Sequence, residues 1–308
     1  MDSPSTSVAS VLLLIVAGAI RVGTPFLFVS LGEMLTEKSG RINLGLEANL
    51  VMGAMAGYAL SLHSGNPWIG VLCAGLTGVL LGGLHAALCS LKGVNDIAVG
   101  IAIMIFGVGL AFFLGKPYIQ PSAPMLPSID FGWWSNSKEL RSALQINPLF
   151  LIGLLLLPLL TWALKNTRWG LMVRLAGENA EAATAMGYSV RWIRALSTMA
   201  GGFLAGVGGA FLSLFYPGSW NEGLSSGQGL MAVALVIFAR WQPVNCFYAA
   251  MLFGGAGALA PALQAVGISW GYYLFNAAPY VLTLVIMAAT CSPKRSLAGM
   301  PAQLGERR

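Results

Sequence analysis

Charged side chains are scarce in this chain: Asp, Glu, Lys and Arg make up 9% of its 308 residues. A soluble globular protein carries about 25%, so a soluble domain of this length is excluded. Histidine stands only at His63 and His85, neither with a second ligand at metal-binding spacing. The four cysteines (Cys73, Cys89, Cys246, Cys291) have no paired spacing and read as small apolar residues with free thiols. No metal or cofactor is expected. Gly-x-x-x-x-Gly-Lys-[Ser/Thr] is missing, and Gly115-Lys116-Pro117 lacks both the hydroxyl and the outer glycine, so the chain has no P-loop for ATP. Gly-x-Ser-x-Gly and His-Glu-x-x-His are missing too, which disfavours an enzyme. The net charge of +6 comes from basic residues scattered at the ends of apolar runs. That is no nucleic-acid footprint, which needs a clustered basic face. The run 8–20 lacks a basic leader: Asp2 is the only early charge, and apolar sequence resumes after Arg21. It reads as a first span and not as a cleaved signal.

Apolar sequence fills the chain instead: 56% of residues are hydrophobic and the mean hydropathy is +0.74. A helix needs about 20 apolar residues to cross a bilayer. Nine segments answer to that need, at 8–36, 44–62, 67–91, 97–114, 148–166, 192–216, 228–239, 243–266 and 270–290. The seventh is short and reads as broken or tilted. The expectation is an all-α, polytopic integral membrane protein of about nine transmembrane helices, with residues 1–308 forming one domain.

Lys and Arg collect on the cytoplasmic side of membrane proteins. With the stretch 167–191 placed inside, thirteen basic residues fall inside: Lys38, Arg41, Lys92, Lys165, Arg168, Arg174, Arg191, Arg194, Arg240, Lys294, Arg295, Arg307 and Arg308. Only Lys116, Lys138 and Arg141 fall outside. The N-terminus is then outside and the C-terminus cytoplasmic. The exterior loop 115–147 carries Pro117, Pro121, Pro124, Pro127, Trp133 and Trp134. Its prolines exclude a continuous helix and its tryptophans suit the membrane interface; it reads as a connector on the outer surface, with a docking face for an external partner as the alternative.

A regularity underlies the segments. Adding 176 carries Asn66-Pro67 onto Gln242-Pro243, Gly53 onto Gly229, Gly78 onto Gly254, and 97–114 onto 273–290. The half 8–114 thus falls on the half 192–290. With one odd span between them the halves cross in opposite directions, the inverted-topology repeat common among transporters. Small residues, as in Gly75-Leu-Thr-Gly78, Gly201-Gly202, Gly208-Gly209 and Gly254-Gly255, permit the close helix packing that drives association in lipid.

Polar groups at membrane depth are costly and default to function. The candidates are Arg21, Glu33, Asn43, Glu47, Asn49, Asn95 and Asp96. Asn43 and Glu47, four apart, are expected on one face of the second segment, lining a pathway. Asn95 and Asp96 open the fourth segment, where Asn95 has N-capping as its plainer role. Glu37, Lys38 and Arg41 flank Gly40 and read as wetted turn residues.

The longest polar stretch is the island Arg168–Arg194. Within it Asn179 suits an N-cap, Glu181 falls in a first turn where the macrodipole favours an anion, and Ala180, Ala182, Ala183 and Ala185 are strong helix formers. Gly187 is placed to end the helix in a left-handed conformation. This is a two-turn knob, either a plain connector or a helix that plugs into a cytosolic motor.

Glu181-Ala-Ala-x-x-x-Gly187 resembles the coupling loop of the permease subunits of ABC importers, without the Ile-x-Leu-Pro that follows it there. Leu31-Gly-Glu33-Met-Leu-Thr-Glu37-Lys-Ser-Gly40-Arg-Ile-Asn43-Leu-Gly45-Leu-Glu47, Gly177-Glu178-Asn179-Ala-Glu181-Ala182-Ala183 and Ala234-Leu-Val-Ile-Phe-Ala-Arg240-Trp241-Gln-Pro243 resemble the nucleoside and simple-sugar branch, which is related to the ribose and branched-chain amino-acid permeases. The chain departs from the branch at Asn95-Asp96, where Asn-Gln is frequent, and at Met104. The resemblance implies a permease domain of two inverted halves, moving a nucleoside or related small polar solute inward by alternating access. It implies three partners: cytosolic ABC ATPase subunits, a second permease subunit (a copy or a paralogue), and an extracytoplasmic solute-binding protein. The contact to the ATPase would be made by Gly177, Glu178, Asn179, Glu181, Ala182, Ala183 and Gly187. An ion-coupled secondary transporter, with Glu33, Glu47 or Asp96 as its ion site, or a solute channel is the alternative.

Overall fold

The computed structural model describes residues 8–135, 140–141, 144–265, 271, 274–275, 277–290 and 299–305. Asp2, Lys138, Trp270, Cys291, Lys294, Arg295, Arg307 and Arg308 lie outside the described residues.

Each apolar segment contains a helix among its described residues. In chain order these are α1 (Val8–Lys38), α2 (Leu46–Ser64), α3 (Pro67–Leu88), α4 (Asp96–Gly115) and α5 (Pro148–Asn166). The island forms α6 (Arg168–Glu178) and α7 (Ala180–Ala185). Then come α8 (Val190–Leu214), α9 (Gln228–Phe238), α10 (Pro243–Ala265), α11 (Ala278–Thr290) and the short α12 (Ala302–Gly305). Six helices among the described residues are long and apolar enough to cross a membrane: those in 12–38, 67–88, 96–118, 148–166, 190–214 and 243–265. Helix α9, with 11 residues, is about 16 Å long at 1.5 Å per residue; it is the short segment that the sequence marks as broken or tilted.

Asparagine sets four of the helix starts. The side chains of Asn66, Asn95, Asn147 and Asn179 each accept from an amide of the first turn of α3, α4, α5 and α7, satisfying donors that have no partner within the helix. In the loop before α5, residues Ile129–Asp130 pair antiparallel with Gln145–Ile146. There Arg141 Nε donates to Asp130 Oδ2 at 2.8 Å, and this bond holds the Asp130 carboxyl below the usual range.

Helix α8 is the centre of the bundle, with α1, α2 and α3 packed around it. Helix α1 also lies along α10, α2 along α3 and α4, and α5 packs peripherally on α1 and α10. Backbone meets backbone at the glycines. A Cβ at Gly78 would overlap the Gly202 carbonyl, one at Gly32 the Gly201 carbonyl, and one at Gly254 the amide of Gly23. Helix α8 touches α1 and α3 on the adjacent residues Gly201 and Gly202, so both seams are close-packed at one level of the helix. Substituting Gly78→Val should therefore cost on the order of 1–3 kcal/mol or more in overpacking. A lowered melting temperature in detergent should report it, with Gly109→Val unchanged because nothing lies within 4 Å of its Cβ position.

Candidate functional site

The polar residues of the bundle gather where helices break. Helix α1 runs to Lys38, so Glu33 and Glu37 sit one turn apart on one face, and both are buried, Glu33 completely at 0% exposure. Glu33 Oε1 accepts from the backbone amide of Asn43 at 2.8 Å. Its other oxygen has no hydrogen-bond partner among the described residues. Glu37 accepts from the indole Nε1 of Trp241. Glu37 and Arg41, expected to be wetted, are buried at 3% exposure, because Trp241 lies on Glu37 and the end of α3 receives Arg41; the island covers the turn between them, where a Cβ at Gly177 would overlap the Lys38 carbonyl.

Asn43 is not on the face of α2 as its spacing to Glu47 suggested. The helix begins at Leu46, and Asn43 stands ahead of it, its Oδ1 accepting from Gly45 N at 2.9 Å. This local Asx turn outcompetes helix at that position. Glu47 lies in the first turn of α2 and reaches away from Asn43. Its carboxylate accepts from Ser225 Oγ, from Gly227 N at 3.2 Å and from Gly229 N at 2.7 Å. A helix start leaves four amides unsatisfied, and here the acid of one helix closes the start of another, where the macrodipole favours an anion. The approach needs glycine, since a Cβ at Gly229 would stand 2.6 Å from Glu47 Cα. The first turns of α2 and α9 thus meet head to head. At its far end α9 runs into Arg240 and Trp241, both at positive φ (50° and 55°). A bulky residue pays for that conformation with strain, which the Trp241–Glu37 bond and full burial of the indole offset.

Asn95 and Asp96 lie elsewhere. Asn95 caps α4, accepting from Ile97 N at 2.8 Å and Ala98 N at 3.2 Å. Asp96 stands 4.0 Å from Arg41 Nε, and Arg41 donates to the carbonyls of Ala86 (3.2 Å) and Cys89 (2.9 Å) that end α3. The four pathway candidates therefore divide between two places: Asn43 and Glu47 at the broken helices, Asn95 and Asp96 beside an open cavity of about 710 Å³.

In the island, Asn179 Oδ1 accepts from Ala182 N at 2.8 Å. Gly187, at φ 83°, ends α7: its amide reaches Thr184 O at 2.9 Å and that of Tyr188 reaches Ala183 O at 3.0 Å, the paired bonds of a Schellman stop. Ala183 is buried beneath, Ala182 is half-buried, and Glu178, Glu181 and Met186 face outward. The island is fixed to the bundle by Arg194, which sequence reasoning passed over as one more basic residue. Its guanidinium donates to Ser39 O (3.0 Å), Ala176 O (3.3 Å) and Gln303 Oε1 (3.1 Å), tying α8 to the ends of α1 and α6 and to α12. The signal available was its position, four residues inside an apolar helix, where an unpaired cation is costly.

A family described as the permease component of the branched-chain amino acid transport system matches residues 15–290. The chain belongs to that permease family. A putative glucose ABC transporter permease protein of Haloferax volcanii is 33% identical over 256 residues, covering 81% of this chain and 78% of the relative. A nucleoside ABC transporter permease protein of Lactococcus lactis is 29% identical over 302 residues, covering 92% and 93%. A guanosine ABC transporter permease protein of Bacillus subtilis is 27% identical over 306 residues, covering 91% and 92%. This permease is a membrane-spanning subunit of an ABC importer, a transport component and not an enzyme.

In this permease Glu47→Gln would turn an amide donor toward one of the donors that the carboxylate now accepts from. Losing a hydrogen bond to a charged group costs about 1.5–3 kcal/mol. Uptake by the assembled transporter should fall at least about tenfold at unchanged membrane yield, while Glu222→Gln, on an exposed side chain, should leave it alone. Equal uptake by both variants would reduce Glu47 to a packing residue.

Proposed function

We propose that this permease carries a nucleoside or related small polar solute inward, with a second permease subunit, a cytosolic ATPase pair seated on its island and a solute-binding protein outside. The observation that carries the reading is the island. It is a rigid two-turn helix, capped at both ends, seated on buried Ala183 and showing Glu181 and Met186 outward. Two of the relatives at over 90% coverage are named for nucleoside or guanosine transport and one, at 33% identity, for glucose. These names favour a hydroxyl-rich neutral solute.

The inverted repeat is supported by the packing. Under the 176-residue offset α1 corresponds to α8 and α3 to α10. The two dominant seams, α1 on α10 and α3 on α8, are then one seam repeated. Nine crossings, an exterior N-terminus and a cytoplasmic island complete the reading; α2, α9 and α11 would be the crossings that are less apolar or shorter. A cysteine placed at 179 should react with an impermeant reagent only in inverted vesicles. Labelling from outside intact cells would reverse the topology.

The buried Glu33 and Glu37 give the ion-coupled alternative its one specific observation, and a single experiment separates the two. Proteoliposomes holding the four components should take up labelled nucleoside only with ATP inside the motor's compartment. Vesicles holding this permease alone should take up none, and ion-gradient-driven uptake by them would sink the importer reading.

The island itself is tested by Gly187→Val and Glu181→Lys. Nothing crowds the Gly187 Cβ position, so the first acts only through the left-handed φ, about 1–2 kcal/mol. The second sets a cation on the positive end of α7, about 0.3–1 kcal/mol. Both proteins should insert normally and lose ATPase stimulation by the solute-loaded binding protein. Full stimulation in both would make the island a connector.

A further inference from the structure

We propose that the 710 Å³ cavity at the junction of α3, α4 and the α1–α2 turn is a binding site for the head group of an anionic phospholipid. Its walls carry three cations, Arg41, Lys92 and Arg191, against one carboxylate, Asp96. The carboxylate is held by Arg41 at 4.0 Å, which leaves the other two cations to set the character of the mouth. Lys92 makes no hydrogen bond or ion pair among the described residues, and Arg191 spends one terminal nitrogen on Ser90 O at 3.0 Å. Ser90 and Gly93 line the same wall, where a small residue leaves room for a phosphate.

What selects a lipid over a free anion is the surface leading away from the cavity. Leu91 and Ile97 line it and are 59% and 45% exposed. From Ile97 an exposed apolar row climbs α4 through Ile101 and Ile105, each four residues on and so on one face. Among the described residues helix α4 meets only α2, α3 and the turn that follows it as close neighbours, and the exposed row is placed to carry an acyl chain while the phosphate faces Lys92 and Arg191. Basic pockets between membrane helices capture anionic head groups in this way. The same charges could instead meet an acidic segment of a protein partner. The apolar row, which such a segment would not need, favours the lipid.

The test is titration of the delipidated full-length chain in neutral detergent, with bound lipid counted by native mass spectrometry. Short-chain phosphatidylglycerol should bind with one-to-one stoichiometry, and phosphatidylcholine of equal chain length at least about tenfold more weakly. Glycerophosphoglycerol and inorganic phosphate, which lack the chain, should bind more weakly still. Lys92→Gln and Arg191→Gln should each weaken phosphatidylglycerol about fivefold and together about thirtyfold, from the attraction of one basic residue each. Lys165→Gln with Arg168→Gln should change nothing. Ile101→Ser should weaken phosphatidylglycerol and leave inorganic phosphate alone, which separates the chain from the head group. If the double variant does not fold, the salt dependence of the wild type takes its place, and binding insensitive to salt would overturn the proposal. Equal binding of the two lipids, inorganic phosphate as tight as phosphatidylglycerol, or an unaltered double variant would each overturn it. So would loss of ATPase-subunit binding in the double variant with lipid binding intact.

Discussion

A backbone amide or carbonyl inside lipid has no water to turn to, so its partner must come from the protein. This permease breaks its helices inside the bundle, after α1, before α9 and after α9, and each break exposes such groups. Nearly all its buried charge is spent on them. Glu33 takes the amide of Asn43, Glu47 takes three donors at the start of α9, and Arg41 and Arg194 cover the last carbonyls of α3, α1 and α6. The two guanidiniums suit this work because hydrogen bonds with a charged partner are about twice as strong as neutral ones. A removed partner leaves a buried group whose desolvation is paid in full. The scarcity of charge and its placement have one cause.

Between the breaks the helices are bound differently. Lipid tails are as apolar as leucine, so contact area and not exclusion of water draws helix to helix. Gly78 on Gly202, Gly32 on Gly201 and Gly254 on Gly23 bring α3, α1 and α10 to backbone distance of their neighbours. Such seams resist shear, since any slide drives a carbonyl into a Cα. The charged contacts at the breaks are fewer, local and directional. A body built this way has stiff pairs of helices joined through a small number of polar contacts, the mechanical division that alternating access requires.

Much of this was legible in the sequence. Helix existence followed from the apolar runs, and the starts of α4 and α7 followed from Asn95 and Asn179, because a cap is a local interaction. The Gly187 stop was legible for the same reason. What failed was long-range. Asn43 and Glu47 have helical spacing, but Gly45 and the bond from Glu33, ten residues back, hold Asn43 ahead of the helix. Arg41 and Glu37 look like turn residues until the end of α3, 45 and 48 residues on, and Trp241, 204 residues on, are folded against them. Glu47 meets its partners 178 to 182 residues away. No periodicity reports such a meeting, though an acid one residue inside an apolar helix, with a Ser-Ser-Gly-Gln-Gly run ahead of a short helix elsewhere, holds both halves of it.

The island and Glu47 are joined by contiguous contacts. Asn179, whose amide closes the end of α6 on Leu175 O while its side chain caps α7, makes the two helices one piece. There Gly177 lies against the Lys38 carbonyl, and Arg194 clasps Ala176 and Ser39 together. Helix α1 continues the line: one turn up is Glu37 on Trp241, one more is Glu33 on Asn43, and Asn43 opens the turn that delivers Glu47 to α9. Trp241 ends the link that leaves α9, so the short helix is held at both ends by acids that α1 and α2 carry. A displacement of the island must therefore either carry α1 with it or break the bonds of a buried arginine. Breaking them leaves a buried guanidinium without those acceptors, at about 1.5–3 kcal/mol for a hydrogen bond to a charged group. A cost of that size makes motion of the whole assembly, α1 with α9 in tow, the cheaper response to a load applied at the island.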